Sequence, residues 1–247
     1  MKAREELSHL PPSGPVLVTI GVFDGVHLGH QHLLEELREV ARGLSYKCAV
    51  VTFRNHPATV LRPDAPISYI SALRERLQLL GQERVDMVVP LTFDRELSLL
   101  SPREFIGLLR EGLDLRGLVV GTNFAMGHQR EGTIPVLQAL GQEMDFTVRI
   151  VNPLEIGGQV ASSTGVRNAL AQGDSTMAAQ MLGHSFMLQG RVAIGEGRGR
   201  SLGFPTANLE VDPSLIIPGD GIYATWAMVN GQRRVAATSI GVRPTFG

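Results

Sequence analysis

Cysteine is almost missing: Cys48 is the single one among 247 residues. An internal disulfide is therefore excluded, and a thiol inside the apolar run Cys48-Ala49-Val50-Val51 suits a buried strand rather than a reactive site. Charge of one sign is also lacking, since 23 Lys and Arg stand against 24 Asp and Glu, a formal net charge of −1. A surface built for nucleic acid in general would show a basic excess, so no nucleic-acid partner is expected. No apolar run reaches the roughly 18 residues of a membrane span. The polar start MKAREELSHLPPSGP has no apolar centre of the kind a signal peptide needs. These absences place the chain in the cytoplasm, away from membranes. What remains, 43% hydrophobic and 19% charged, is the composition of a globular protein with one large or two ordinary domains.

The run GVFDGVHLGH at residues 21–30 organises the rest. Before it, the apolar residues 16–20 predict a buried strand. After it, Leu33, Leu34, Leu37, Val40, Ala41 and Leu44 recur at the spacing of an amphipathic helix. A strand-to-helix turn aims backbone N–H groups and the positive end of a helix dipole at whatever sits outside it, which suits a phosphate. Gly21 and Gly25 let a ligand come close to the backbone. His27 and His30, three apart, share one face of the first helical turn. Three readings fit: a capped helix start, a zinc pair completed by Asp24, or a phosphate-binding histidine pair. No further His-rich cluster is placed to complete a zinc site, which disfavours the second.

Strand-like runs at 16–20, 48–53, 87–90, 118–121 and 147–151 alternate with helical patterns near 30–43, 72–80, 101–110 and 133–141. That alternation predicts βαβ units around a mostly parallel sheet, an α/β fold whose ligands bind beyond the carboxyl ends of the strands. Each further motif follows such a run. Residues 52–57 read TFRNHP, and a His-Pro pair after a strand is first of all a turn. Residues 121–127 read GTNFAMG, an aromatic and an amide between glycines, which is either an ordinary Asn/Gly turn or a loop against a flat ligand. In SSTGVR, residues 162–167, hydroxyls before a helix read as an N-cap that can also meet phosphate, with Arg167 one turn in. Past Gly183 the helical period is lost and short alternating runs punctuated by Gly and Pro predict antiparallel strands. There the run GEGRGRSLGFPTAN occupies 195–208.

Taken together these runs resemble the bacterial bifunctional riboflavin kinase/FMN adenylyltransferase family, the FAD synthetases. GVFDGVHLGHQHLL is similar to the family's N-terminal HxGH motif. TFRNHP is similar to TFxPHP, with Arg54 and Asn55 where aspartate and proline are usual. GTNFAMG is similar to GxxFxFG, with Met126 in place of an aromatic, and Arg130 matches the arginine that follows. Residues 161–167 resemble ISSTxIR, with Ala161 and Gly165 as departures, and residues 195–208 closely resemble GxGRGRxLGFPTAN of riboflavin kinases.

The resemblance implies a Rossmann-like nucleotidyltransferase domain at 1–183 and, at 184–247, the first part of an antiparallel β-barrel of riboflavin-kinase type. It implies that His27, His30, Asn123 and Arg167 are catalytic in moving AMP from ATP to FMN. Gly21, Phe23, Asp24, Gly25, Gly29, His56, Pro57, Ser163 and Thr164 would bind the ATP, while Asn123, Phe124 and Arg130 would meet the flavin. In the second domain Gly195, Gly197, Arg198, Gly199, Arg200, Gly203 and Pro205 would cover ATP phosphates, with Thr206 and Asn208 holding magnesium. The family's closing strands and its glutamate base have no counterpart before Gly247, so the expectation is an impaired kinase and an open sheet edge, a route to self-association. Two rivals remain. One is another adenylyl- or cytidylyltransferase, which has no use for the PTAN run. The other is a catalytically inactive flavin- or nucleotide-binding module.

Overall fold

Apolar runs supply the strands of one parallel sheet, most completely at its centre. The computed structural model describes residues 1–11, 14–64, 66–194, 203 and 206–241. After α1 (Lys2–Ser8) come β1 (Val16–Ile20), α2 (Leu28–Leu44), β2 (Lys47–Phe53), α3 (Pro57–Leu61), α4 (Leu73–Gln82) and β3 (Met87–Leu91). Then follow α5 (Arg95–Ser98), α6 (Pro102–Leu113) and β4 (Leu115–Gly121). A short hairpin of β5 (Ala125–Met126) and β6 (Gly132–Thr133) leads to α7 (Ile134–Met144) and β7 (Thr147–Val151). The sheet order is β3-β2-β1-β4-β7, and every one of its pairings is parallel. All five residues of β1 are buried at its centre.

Two apolar layers cover the sheet. On one face Val18, Ile20, Val51, Ile106, Leu109 and Leu137 pack together under α1, α6 and α7. On the other, Leu17, Val50 and Val119 meet Leu34, Leu37 and Ala41 of α2 and Leu80 of α4. The helices carry their own end signals. Ser101 and Glu104 form a reciprocal capping box on α6, and Ser45 takes a left-handed C-cap at the end of α2.

The chain reverses direction along the sheet between β1 and β4. Strands β2 and β3 lie to one side of β1, and β4 and β7 to the other. This is the topological switch point at which open α/β sheets hold ligands, and the runs at 21–30 and 121–127 leave from it.

Beyond β7 lie the hairpin β8 (Glu155–Ile156) and β9 (Gln159–Val160), then α8 (Ser163–Ala171) and α9 (Ser175–Leu182). These two helices form a third apolar cluster, Val166, Leu170, Ala178, Met181 and Leu182, joined by Ile70 and Ile216. The remaining strands are antiparallel as expected. Among the described residues they pair as β10 (Gly190–Ala193) with β11 (Asn208–Val211) and β12 (Gly221–Val229) with β13 (Gln232–Ile240).

Both departures from the TFxPHP pattern find partners. Arg54 Nε donates to Glu6 Oε1 at 2.9 Å, and Glu6 also accepts from the Thr92 backbone and hydroxyl. Asn55 bonds Phe93 reciprocally, Nδ2 to the carbonyl at 2.9 Å and Oδ1 from the N–H at 3.1 Å. Together they fasten the exits of β2 and β3 to each other and to α1.

Candidate active site

The turn after β1 is tightly constrained. Phe23 and Val26 both take positive φ, 54° and 40°. For a β-branched residue that is a costly conformation, held here because both side chains are buried. Gly25, at φ 76°, has no room for a side chain, since a Cβ would stand 2.7 Å from Ile70 Cγ2. Its N–H donates to Ser71 Oγ at 2.9 Å.

Asp24 is the anchor of this turn. It is 2% exposed, and its carboxylate accepts from the backbone N–H of Ile70 and of Ser71, each at 3.0 Å. The Ser71 hydroxyl donates to it as well, at 3.3 Å, and Arg167 Nη2 forms an ion pair with it. Arg167 Nε donates to Ser68 O at 2.7 Å, and Ser163 Oγ donates to the Asp24 carbonyl at 3.1 Å. One buried carboxylate thus joins the turn after β1, the segment 68–71 and the first turns of α8, three pieces far apart in sequence. Part of the Arg167 fork is thereby committed to protein, while Thr164 beside it is exposed.

His27 is the N-cap of α2, its Nδ1 accepting from the His30 N–H at 3.3 Å. The neutral ring therefore carries its proton on Nε2. The His27 and His30 rings stack, centroids 3.6 Å apart and planes inclined by 21°, and Phe23 tilts against His30 at 5.0 Å. Burial pushes His27 down to about 4, with Asp24 pulling it up and Arg167 pressing it further down. Burial, then His27 and the Arg76 guanidinium, hold His30 well below the usual imidazole range. Two rings stacked this closely cannot both carry charge at low cost, so the pair rests neutral near pH 7. Gly29 between them is required by contact: a Cβ there would lie 2.5 Å from the Ala161 carbonyl oxygen and 3.1 Å from His27 Nδ1.

A cavity of about 270 Å³ opens at the switch point, lined among others by His27, Gly29, Asn123, Phe124, Asn152 and Ala161. It joins the histidine turn after β1 to the loop after β4 and the segment after β7. Asn123 is exposed at its rim, Phe124 packs against the core, and Arg130 reaches the Asn123 carbonyl at 3.4 Å. Of the sequence-predicted residues, His27, Gly29, Asn123 and Phe124 share this cavity; the buried Asp24 forms a separate cluster with the half-buried Ser163 and Arg167.

His56 caps α3, with Nδ1 accepting from Ala58 N–H at 3.1 Å, and Pro57 opens that helix. The His56 N–H donates to Tyr69 Oη at 2.9 Å, which ties it to the same 68–71 segment. Burial, then Arg167, lowers its basicity as well. In the second domain Gly203 is exposed with φ 80°, Thr206 is exposed, and Asn208 opens β11. Gly195, Gly197, Arg198, Gly199, Arg200 and Pro205 lie outside the described residues.

The sequence reading missed the segment Ser68, Tyr69, Ile70 and Ser71, which carries no motif. It also missed Arg76, a 1% exposed arginine whose Nη2 donates to the Phe53 carbonyl at 2.6 Å.

Comparison with known proteins identifies the family. A family profile described as FAD synthetase matches residues 11–165, and one described as riboflavin kinase matches 182–247. The Escherichia coli (strain K12) bifunctional riboflavin kinase/FMN adenylyltransferase is 38% identical over 241 residues, 97% of this chain and 76% of the relative. The protein of the same name from Pseudomonas fluorescens is 39% identical over 230 residues, 93% of this chain and 73% of its own. The Bacillus subtilis protein is 34% identical over 233 residues, with the same two shares. A crystal structure from Streptococcus pneumoniae, described as a macrolide-efflux protein, superposes with a TM-score of 0.88 at 30% identity, covering 100% of this chain and 79% of that one. In the present chain no helix among the described residues is long and apolar enough to cross a membrane. With both domains matched in order and these identities spanning nearly its whole length, the chain belongs to the bifunctional riboflavin kinase/FMN adenylyltransferase family.

Proposed function

We propose that the crevice at the β1/β4 switch point makes FAD by moving AMP from ATP to FMN. The stacked His27–His30 pair, set beside the cavity on the N-terminal turn of α2, is the observation that carries this reading. A phosphate oxygen of FMN attacks the α-phosphorus of ATP in line, the bond to the β-phosphate oxygen breaks, and pyrophosphate leaves. No covalent intermediate on the protein is needed, so its work is positioning and charge stabilisation. His27 Nε2–H and the N–H groups of the α2 turn meet the triphosphate, as do Ser163, Thr164 and Arg167 from α8. Gly21, Phe23, Asp24, Gly25 and Gly29 shape that turn, and His56 with Pro57 borders the ATP. Asn123 orients the reacting groups, and Phe124 and Arg130 face the flavin.

The first domain runs to Gly183, the left-handed cap of α9. The second, 184–247, carries the riboflavin-kinase match, and the reaction assigned to that part of the family is riboflavin to FMN with ATP. Thr206 and Asn208, two residues apart at the start of β11, offer oxygen ligands of the hard type that magnesium takes, and magnesium needs few from protein when phosphates supply others. Both reactions use small molecules of the cytoplasm.

A two-substrate assay tests the reading: ATP and magnesium are given to the full chain with FMN in one tube and riboflavin in the other. FAD from FMN is expected, falling about 100-fold in His30→Ala, the usual worth of one such stabilising group. An unchanged rate in that folded variant defeats the histidine assignment. No FAD from the wild-type chain favours a binding module without turnover.

A further inference from the structure

Arg76 is the largest fully buried side chain among the described residues, and it is a cation. It leaves the first turn of α4, which packs against the turn at Asp24–Val26, and donates one N–H to the carbonyl of Phe53, the last residue of β2. Its Nε and Nη1 are buried and find no hydrogen-bond partner among the described residues; neither does His30 Nδ1. Interiors seldom keep a guanidinium so poorly satisfied for packing alone, because an apolar side chain of that size does the same work without desolvating a charge. Such an arginine is therefore kept for its field.

We propose that Arg76 is a positioning residue for adenylyl transfer, a permanent positive charge walled in behind the histidine pair that pins the end of β2 and biases the phosphate side of the crevice. This rests on the functional reading above. The groups facing the cluster are Asp24 from the turn, His27 and His30 at the start of α2, His56 after β2, Tyr69 before α4, Glu75 beside Arg76 on α4, Arg167 from α8, and His184 after α9, whose ring bonds the Gly25 carbonyl. With the rings neutral, Arg76 and Arg167 stand against Asp24 and against the buried Glu75, whose carboxyl burial pushes up. Arg76 opposes protonation of His30 in the empty site and, with Arg167, attracts a triphosphate. Ring N–H donors are thus kept in a fixed tautomer, and the pair takes up protons only after the polyanion has arrived.

Two readouts on the full chain test this. Histidine ring ¹⁵N shifts of the ligand-free protein, followed by NMR from pH 8 to pH 4.5, report the pair without turnover. The pH profile of kcat/KM for ATP in FAD formation reports it during turnover. The wild-type His27 ring is expected to titrate only at about 4, and His30 to stay neutral well below the usual imidazole range. In R76Q the His30 midpoint and the acid limb should both move up, since one of the charges that hold the ring down is gone. R76K keeps the charge and loses the fork, so its limb should stay while KM for ATP rises. A wild-type His30 titrating near pH 6.5, or R76Q profiles matching the wild type, overturn the proposal. Should R76Q fail to fold, R76K decides: a retained limb upholds the charge role and a displaced one overturns it. Absence of FAD formation in the wild type defeats the functional reading, while the ring titrations still judge Arg76.

Discussion

Replacing Gly29 by alanine adds one methyl at the narrowest point of the site. Its Cβ would stand 2.5 Å from the Ala161 carbonyl oxygen and 3.1–3.2 Å from the His27 ring. Carbon–oxygen contacts in proteins settle at about 3.3–3.6 Å, so the two sides must separate by roughly 1 Å. Neither side is a flexible chain end. Ala161 runs into Ser162, the N-cap of α8, and Ser163 and Arg167 of that helix clasp Asp24. The wedge therefore pushes the histidine turn and the α8 turn apart. Helix propensity favours alanine by up to about 1 kcal/mol, whereas overpacking costs about 1–3 kcal/mol, so the net loss of stability should be near 1 kcal/mol. Activity should fall much further, because a 1 Å misplacement of reacting groups costs about 100-fold. Gly43 lies on the same helix, with nothing within 4 Å of a Cβ built there. Gly43→Ala is thus the matched control, expected to be slightly more stable and fully active. The assay is chromatographic separation of FAD from FMN under initial-rate conditions, with thermal unfolding run alongside. A folded Gly29→Ala protein within twofold of wild-type kcat/KM would show that the contact between these turns does not position the reaction.

Asp24→Asn leaves Arg167 without its carboxylate and weakens the link among three segments; breaking a pair of this kind costs about 3 kcal/mol, and a melting temperature within 2 °C of wild type (a shift roughly expected for under 1 kcal/mol) would contradict the anchor role. His27 is held at about 4 against 6.5 for the ordinary ring. The unfolded chain therefore binds more protons between those values, and stability falls as pH is lowered through that window, by roughly 3 kcal/mol from this residue. His30 acts in the same direction; equal melting temperatures at pH 7.5 and pH 4.5 would show that the rings are not buried neutral. Thr206→Val with Asn208→Ala should lower riboflavin phosphorylation roughly tenfold or more at limiting magnesium while leaving FAD formation from FMN unchanged. Parallel loss of both activities would speak against separate sites.

The central sheet strands were legible because strands buried on both faces are apolar nearly throughout, while the edge strand β7, which exposes Thr147, Arg149 and Ile150, was legible from its place in the strand–helix alternation. The histidine turn was legible because glycine, cap and ligand requirements fall on ten adjacent residues. What holds that turn was not, since hydrogen bonds from backbone N–H groups leave no trace in side-chain identity. Ile70 and Ser71 serve Asp24 through their main chain, 46 and 47 residues away, and any residue but proline at 70 and 71 could supply those N–H groups if the fold brought them there. The short helix α1 escaped for a related reason: its role is to bring Glu6 to Arg54 and Thr92, a contact that makes sense only once the ends of β2 and β3 are known to be neighbours. Arg76 is different, because its signal was present. In α4, Leu73, Arg76, Leu77 and Leu80 follow the i, i+3, i+4, i+7 rhythm of a core-facing stripe. An arginine there either snorkels to solvent or is kept inside for a reason. With 1% of its surface exposed it does not snorkel. A charged residue that interrupts an apolar stripe in a helix beside a ligand-binding turn is therefore evidence about the site rather than noise in the stripe, since its desolvation must be offset by something it does there.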